Sequence, residues 1–342
     1  MLINEETIAT IKERNNFNFI RFFLAYSVMF NHFSTLTETE PFWLVSGGYR
    51  VKGFFVVSGF LVMFSYLRTK GVKAFFRKRF QRIMPAYALA IAGCALAGVL
   101  VSSLPAADYF TSRELYSYIL SNLLTLNFLH PTLPGVFETN AFHAINGSLW
   151  TIKVELMLYL TVPFLFYLLT RYKKSVVLIA IYLLSFAYSS TFDYLHDTTG
   201  ISTYEFLKRQ FPGQMSYFCS GIILLVYFDT FRKNIRYIFP VSILLLILNH
   251  YTPLFHIAEP IALSSFILSV AYGFKWLNGI ANKAGNFSYG IFLSHYPIIQ
   301  LAIHLNLTPQ HPWLSLTAIT LLSTTLGLLS WKYIEKPTLY KQ

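Results

Sequence analysis

The sequence predicts an all-α polytopic membrane protein with about ten transmembrane helices and both termini in the cytoplasm. Charged residues make up 12% of the 342 residues, whereas soluble domains contain about 25%. Hydrophobic residues make up 55% of the chain, and the mean hydropathy is +0.50. Apolar runs of nearly membrane-spanning length recur along the whole sequence. This composition excludes a disordered chain, a disulfide-rich secreted domain and an ordinary cytosolic enzyme.

The predicted spans follow from length, because a helix needs about 20 residues to cross the hydrocarbon core. An eleventh, less apolar run at 114–129 contains Glu114, Asn122 and Asn127. The ten apolar runs of about the required length, some of them shorter, are 17–36, 53–68, 86–104, 148–169, 175–192, 214–228, 236–250, 258–274, 286–304 and 313–334.

The distribution of Lys and Arg decides whether 114–129 crosses the membrane. If it does not cross and the N-terminus is cytoplasmic, 20 of the 27 basic residues lie in inner segments and five in outer segments, with Arg21 and Lys153 inside spans. If it crosses, every later loop changes side, and the division becomes 11 inside and 14 outside. Residues 105–147 are therefore expected to form one outer segment with a re-entrant or interfacial helix.

Domain organisation, the two cysteines and the net charge give three further expectations. We expect one integral-membrane domain over residues 1–342, with no appended soluble domain, because no stretch has soluble composition. Cys94 and Cys219 lie in apolar runs and form no metal-binding or redox motif. The net charge of +12 is explained by membrane topology, so the expected surroundings are membrane lipids and not nucleic acid.

Ionisable side chains inside spans are costly and therefore usually functional. Arg21 and His32 are eleven residues apart, close to three helical turns, so they share one helix face. Arg21 is expected near the cytoplasmic leaflet, and His32 near the outer surface. Glu155 should lie at a depth comparable to that of His32 and could face it, while His295 lies near mid-membrane. The pattern predicts a path for an extended anionic ligand that enters from the cytoplasm and ends at a histidine.

Five groups of residues, in the expected order from 17 to 337, resemble the motifs of the membrane acyltransferase-3 family. The family motifs are Arg-x10-His, FFxxSG, RxxR-I-x-P, SLWxxxxE, and SYxxYLxH with a C-terminal EKP. The matching residues in this sequence are Arg21 with His32, Gly53–Phe60, Arg79–Tyr87, Gly147–Glu155, and Ser288–His295 with Tyr333–Pro337.

One position departs from the family pattern. Many members have Gly-Val-Asp before the FF pair, but the segment here is Gly48-Tyr-Arg-Val-Lys52, so a lysine occupies the acidic position. A role assigned to that acid does not carry over, and a lysine there fits a more anionic acceptor.

The resemblance implies a membrane-bound O-acyltransferase that depends on acetyl-CoA as co-substrate and uses no metal. The acyl group, usually acetyl, would pass from cytoplasmic acyl-CoA to a hydroxyl of an extracytoplasmic or lipid-linked glycan. Relatives of the O-antigen, exopolysaccharide and nodulation-factor type act in this way. By the same resemblance, the protein is expected to be a multi-pass protein of the bacterial inner membrane.

The resemblance also assigns roles to individual residues. His32 and Glu155 are the expected catalytic residues. His32 would act as general base or as transient acyl carrier, and Glu155 would orient His32 or contact the acceptor. Arg21, Arg79 and Arg82 are expected to bind acyl-CoA. The further candidates are His295 and Ser58.

Each assignment has a structural alternative. His32 could be a structural histidine whose hydrogen bonds are satisfied by a neighbouring helix. Arg21 could be an anchor at the inner interface, and Arg79 and Arg82 could serve only as a positive-inside signal. His295 could be a structural hydrogen bonder, and Ser58 a helix-packing residue beside Gly53 and Gly59. Glu155 could instead pair with Lys153 or Arg50.

At the C-terminal end, Glu335 is expected to pair with Arg79 or Arg82. Pro337 is expected to stop the last helix.

Two other functional classes compete with the enzyme. A transporter that exports an anionic metabolite or glycan precursor would also need intramembrane Arg, Glu and His. Against it, the sequence has no inverted repeat and no pair of broken helices in corresponding positions. A non-enzymatic scaffold has no need for the buried ionisable groups.

Overall fold

The computed structural model describes residues 2–12, 15–39, 48–274, 277 and 285–340. Within these ranges the chain is helical, and β-structure is limited to one antiparallel bridge between Ser102 and Val136. The α-helices are α1 (Glu5–Lys12), α2 (Phe17–Thr37), α3 (Tyr49–Leu67), α4 (Val72–Ala97), α5 (Ala106–Thr111), α6 (Arg113–Leu123), α7 (Trp150–Arg171), α8 (Lys174–Thr199), α9 (Ser202–Lys208), α10 (Phe211–Val226), α11 (Phe228–Lys233), α12 (Ile235–Tyr251), α13 (Glu259–Gly273), α14 (Ser288–His304), α15 (Pro312–Ser330) and α16 (Lys336–Tyr340).

The predicted class, an all-α multi-pass membrane protein, is confirmed. In the described part of the chain, six helical segments are long and apolar enough to cross a membrane. They are Tyr49–Leu67, Val72–Leu100, Trp150–Arg171, Lys174–Thr199, Leu254–Gly273 and Pro312–Leu339.

The other four predicted spans form helices outside this set. α10 has 16 residues, and α12 and α14 have 17 residues each, so all three are short for a membrane crossing. α2 has 21 residues, but polar side chains such as Arg21, Asn31 and His32 lower its hydropathy. Of the ten predicted spans, six are therefore supported by length and composition, and the other four stay predictions.

The 105–147 segment contains only short helices. α6 has 11 residues, or about 16 Å at 1.5 Å per residue, which is about half the hydrocarbon core. This length agrees with a segment that does not cross.

Two tyrosine hydrogen bonds join this segment to α4. The Tyr87 hydroxyl donates to the Asn122 carbonyl at 2.8 Å, and the Tyr109 hydroxyl donates to the Ala95 carbonyl at 2.7 Å. Burial raises the pKa of Tyr109 to about 12, which keeps this donor protonated.

The chain divides into two compact units, the first of which consists of Met1–Leu24, Gly47–Phe75 and Val154–Lys283. Within it, α3 and α10 cross at van der Waals contact. A Cβ atom on Gly59 would overlap the Phe218 carbonyl oxygen, and one on Gly221 would overlap the Val56 carbonyl oxygen. Glycine at both positions is what allows the two backbones to touch, as is common between membrane helices.

The second unit consists of Ala25–Ser46, Phe76–Lys153 and Ala284–Gln342. α14 and α15 cross closely here, because a Cβ atom on Gly290 would lie 2.7 Å from the Gly327 Cα. One face of α14 packs into an apolar cluster with α2 and α15. The buried members of the cluster are Met29, Phe33, Leu36, Tyr296, Ile299, Ala302, Leu316 and Ile319. Another face of α14 borders an apolar cavity of about 680 Å³ that is also lined by α4 and α15.

The C-terminal helix corrects one expectation. Pro337 does not stop the helix: α15 continues through a π turn at Trp331–Glu335 into α16, where Pro337 is the second residue. The Lys336 N–H bonds to the Trp331 carbonyl five residues back, so the helix is already widened into a π turn where the proline, which has no N–H to donate, enters it.

Candidate active site

His32, the histidine predicted to be catalytic, lies in the second unit, on the C-terminal half of α2, and is half-buried. Its Nδ1 is hydrogen-bonded to Nε2 of His295 on α14 at 2.8 Å. The two rings are parallel within 4°, and their centroids are 5.1 Å apart. Because the centroids are much further apart than the bonded nitrogens, the rings meet edge to edge in nearly one plane. This is good geometry for an N–H···N hydrogen bond.

His295 is completely buried, with 0% of its surface exposed. Its Nδ1 donates to the Ile291 carbonyl, one turn earlier on α14, at 3.1 Å. The sequence identifies His295 as a candidate but predicts no partner for it. The structure joins it directly to His32. Sequence periodicity can place both residues in depth, but it does not indicate that two helices so far apart in the chain bring them together.

The surroundings of the histidine pair hold both rings in place. The Tyr296 ring packs edge-on against His32, with centroids 5.2 Å apart. The segment that begins the SLW motif also packs against α14. There the Asn146 amide donates to the Leu293 carbonyl at 2.8 Å, and a Cβ atom on Gly147 would lie 2.7 Å from the Tyr296 ring. The motif therefore has a structural role at the site.

A buried glutamine ties the residues just before this segment to α14. The Asn140 amide donates to the Gln300 side-chain oxygen at 2.9 Å. The Gln300 amide in turn donates to the carbonyls of Phe142 and Ala144 at 2.5 and 2.8 Å. Neither Asn140 nor Gln300 stands out in the sequence, since a neutral amide within an apolar helix carries no charge signal.

Glu155 lies in the first unit, on α7, and is half-buried. The Ser58 hydroxyl donates to one oxygen of its carboxylate at 2.7 Å, and the Tyr159 hydroxyl donates to the same oxygen. Ser58 therefore does more than pack helices, since it links the FFxxSG helix to the SLWxxxxE helix. Tyr159 was not among the candidates, although its position one turn after Glu155 is a signal that could have found it.

The arginines predicted to bind acyl-CoA are distributed over both units. Arg82 on α4 pairs with Glu335, with Nη1 and Oε2 3.0 Å apart, and Glu335 is 1% exposed. This confirms the expected pairing of Glu335. The Arg82 guanidinium also lies over the Trp331 ring at 5.5 Å. Arg79 is half-buried one turn earlier on α4. Arg21 is half-buried on the part of α2 that belongs to the first unit.

Lys52, the departure from the family pattern, belongs to a polar cluster in the first unit. Its Nζ lies 2.6 Å from Glu259 Oε1. The same carboxylate accepts hydrogen bonds from the Tyr217 hydroxyl at 2.7 Å and the Asn249 amide at 2.9 Å. The Asn249 amide also donates to the Tyr49 hydroxyl at 2.9 Å. Glu259 was missed because it stands at the edge of its apolar run, directly before Pro260.

In the ranges that the structure describes, no group of three or more His, Cys, Asp or Glu side chains could hold a metal ion. The candidate groups at the site are imidazole, carboxylate and guanidinium, which suit proton transfer and the binding of an anion.

Comparison with known proteins adds independent information. Residues 14–332 match a family model described as an acyltransferase domain, of the acyltransferase-3 type. Nodulation protein 10 of Rhizobium leguminosarum bv. viciae is 29% identical over 353 aligned positions, which cover 95% of this chain and 93% of that protein. An O-acetyl transferase of Shigella phage Sf6 is 24% identical over 335 positions, covering 94% and 95%. No solved structure matches the chain.

Proposed function

Because the chain belongs to the acyltransferase-3 family, we propose that it transfers an acetyl group from cytoplasmic acetyl-CoA, across the membrane, to a hydroxyl of an extracytoplasmic or lipid-linked glycan. The family match supports O-acyl transfer as the reaction. The family is distinct from the class named membrane-bound O-acyltransferases, so that class name, expected from the sequence, does not apply.

The observation that supports this proposal best is the hydrogen bond between His32 and His295. A half-buried imidazole whose Nδ1 is held by a buried partner resembles the general base of acyl-transfer enzymes, in which the partner is a carboxylate. The position of His32 in the Arg-x10-His motif agrees with that role.

In the proposed reaction, His32 removes the proton from the acceptor hydroxyl as the hydroxyl oxygen attacks the thioester carbonyl. The new C–O ester bond forms, the C–S bond breaks, and the proton on His32 passes to the departing CoA thiolate. In the alternative sequence, His32 itself carries the acyl group between donor and acceptor. Both sequences need an unprotonated nitrogen on His32 that points to the reacting carbonyl or hydroxyl.

The donor is proposed to bind through Arg21, Arg79 and Arg82. A guanidinium group is planar and presents parallel N–H donors that match phosphate oxygens. The ion pair with Glu335 and the contact with Trp331 fix the Arg82 side chain in one orientation. Such pre-organisation lowers the entropy lost when an anionic ligand binds.

Glu155 is proposed to contact the acceptor glycan. Hydrogen bonds from the Ser58 and Tyr159 hydroxyls hold one carboxylate oxygen. A carboxylate has further lone pairs, which can accept from sugar hydroxyls.

The finer topology belongs to the same proposal. The chain is taken as one catalytic domain over residues 1–342 with ten spans, both termini in the cytoplasm and residues 105–147 outside, in the inner membrane of a bacterium. The division of basic residues between inner and outer segments supports this orientation.

The test is the release of free CoA from acetyl-CoA by purified protein in liposomes, with and without crude surface glycan. Wild type is expected to release CoA faster when glycan is present, and His32→Ala is expected to lower that rate about 10²–10⁴-fold. His311→Ala, which removes an exposed histidine of the same unit, is the matched control and should keep the wild-type rate. Normal turnover by His32→Ala would contradict the role of His32. A well-folded wild type that neither binds nor cleaves acetyl-CoA would contradict the donor.

A further inference from the structure

We infer that His295 is a positioning residue that holds His32 in the tautomer with the proton on Nδ1, so that Nε2 of His32 carries the reactive lone pair. The inference rests on the proposed function for its purpose, but its evidence is the hydrogen-bond chain from Ile291 through His295 to His32. It assigns the Nδ1 contact of His32 to a second histidine, where many acyl-transfer enzymes use a carboxylate.

The argument starts at the buried end of the chain. The Ile291 carbonyl oxygen can only accept a hydrogen bond, so Nδ1 of His295 must be the donor at 3.1 Å. A neutral imidazole carries one N–H, and therefore Nε2 of His295 has a lone pair and acts as an acceptor.

The neutral form of His295 follows from its surroundings. The ring is completely buried, and the Phe292 ring packs next to it with centroids 5.7 Å apart. Placing a positive charge in such an apolar environment would cost several kcal/mol in lost solvation.

The direction of the second hydrogen bond is then determined. Since Nε2 of His295 accepts, Nδ1 of His32 must donate across the 2.8 Å contact. The proton of neutral His32 is thus on Nδ1, and the lone pair is on Nε2. This is the form that a general base needs, and an acyl carrier needs the same form because its acyl group is added to the nitrogen with the lone pair.

The orientation of His295 is fixed by packing as well as by its own hydrogen bond. Gly290 and Gly327 let α14 lie directly against α15, and the Asn146 amide binds the Leu293 carbonyl on the same turn of α14. The plane shared by the two rings, within 4°, keeps the N–H of His32 aligned with the acceptor.

The first measurement is the ¹⁵N NMR spectrum of the full-length protein labelled at histidine, in detergent, with the His32 signals identified by their loss in His32→Gln. We expect a protonated Nδ1 and an unprotonated Nε2 for His32. In His295→Leu, we expect the His32 signals to move towards the mixture of tautomers seen in free imidazole. A wild-type spectrum with the proton of His32 on Nε2 would overturn the inference.

The second measurement is the steady-state kinetics of two replacements. His295→Leu removes the acceptor and is expected to lower kcat about 10²–10⁴-fold, with the KM for acetyl-CoA changed less than about threefold. His295→Gln places an amide oxygen near the former Nε2 position, so it should keep kcat within about tenfold of wild type. His311→Leu makes the same replacement at an exposed histidine of the same unit, so it is the matched control and should behave as wild type.

The outcomes separate the two proposals. Equal losses in His295→Gln and His295→Leu, or wild-type kinetics in His295→Leu, would overturn the positioning role while leaving the acyltransferase intact. If the wild type shows no acyl transfer at all, the proposed function fails, and the NMR spectrum alone decides the tautomer. If His295→Leu does not fold, His295→Gln and the wild-type spectrum still provide the test.

Discussion

The His32–His295 pair in the second unit and the Lys52–Glu259 cluster in the first unit use hydrogen bonds in different ways. Glu259 receives a cation and two neutral donors on one buried carboxylate. The histidine pair instead forms a directed chain that begins at a backbone carbonyl and ends at a half-buried ring.

The difference separates a group that holds helices together from a group that is prepared for chemistry. The charges of Lys52 and Glu259 compensate each other, and the cluster joins the ends of α3, α12 and α13 to α10. Removing one partner there would leave a buried charge uncompensated. In the histidine pair the buried partner, His295, is neutral, so replacing His32 leaves no uncompensated buried charge behind. The two regions should therefore respond to substitution in opposite ways.

The largest expected effect is on activity at His32. His32→Ala should lower acetyl transfer about 10²–10⁴-fold, while the free energy of unfolding should change by only about 1 kcal/mol, since one hydrogen bond and a half-buried ring are lost. The two quantities are measured on the same preparation, by CoA release and by denaturation in mixed micelles. A loss of several kcal/mol in stability would mean that the pair is a structural element.

The opposite pattern is expected at Lys52. Lys52→Met leaves the Glu259 carboxylate without its cation and should destabilise the protein by about 3 kcal/mol, the low end for a buried pair because 29% of the Lys52 side chain is exposed. The KM and kcat of the folded fraction should stay within about twofold of wild type, because the Lys52 amine is held by Glu259 and is not expected to bind an anionic acceptor.

Two further variants test the Lys52 prediction. The double variant Lys52→Met/Glu259→Gln should recover most of the lost stability, because it also removes the buried charge. Lys208→Met, which breaks the more exposed pair with Asp193, should cost at most about 1 kcal/mol. If the double variant is less stable than Lys52→Met alone, the cluster does not work through charge compensation.

Packing connects stability to activity only where it positions the histidines. Gly290→Ala would force α14 away from α15, with an expected cost of about 1–3 kcal/mol. It should also lower kcat, because His295 moves with α14. Gly93→Ala is the matched control, since a Cβ atom there meets nothing within 4 Å, and it should be neutral or slightly stabilising. Unfolding midpoints and CoA release, measured side by side, would show whether the two losses occur together.

The sequence predicts the charged contacts of the site better than the neutral ones. Glu335 was expected to pair with Arg79 or Arg82, and it pairs with Arg82, because a carboxylate in an apolar helix needs a cation nearby. The Ser58–Glu155 contact joins two segments that the motifs single out. Neutral donors carry a weaker signal: only the i, i+4 spacing from Glu155 points to Tyr159, nothing in the sequence points to Gln300, and both were missed.

Hydrophobic periodicity does not predict the contact between His32 and His295. Hydrophobic patterns place a residue in depth and on one face of its own helix, but they do not say which other helix lies against that face. The polar residues also explain the difference in span count at α2. A helix that carries Arg21 and His32 is less apolar than its neighbours because of the residues that point to its function.

The smallest expected effect concerns the hydroxyls that hold Glu155. Tyr159→Phe and Ser58→Ala each remove one donor to the carboxylate. A hydrogen bond of this kind contributes about 1 kcal/mol, so each variant should raise the KM for the glycan acceptor about fivefold. The kcat and the KM for acetyl-CoA should stay unchanged, because Glu155 is proposed to contact the acceptor only. Tyr167→Phe, at an exposed position of the same helix, is the control and should match wild type. A selective rise in the KM for acetyl-CoA would instead place Glu155 on the donor side, together with the groups that bind CoA.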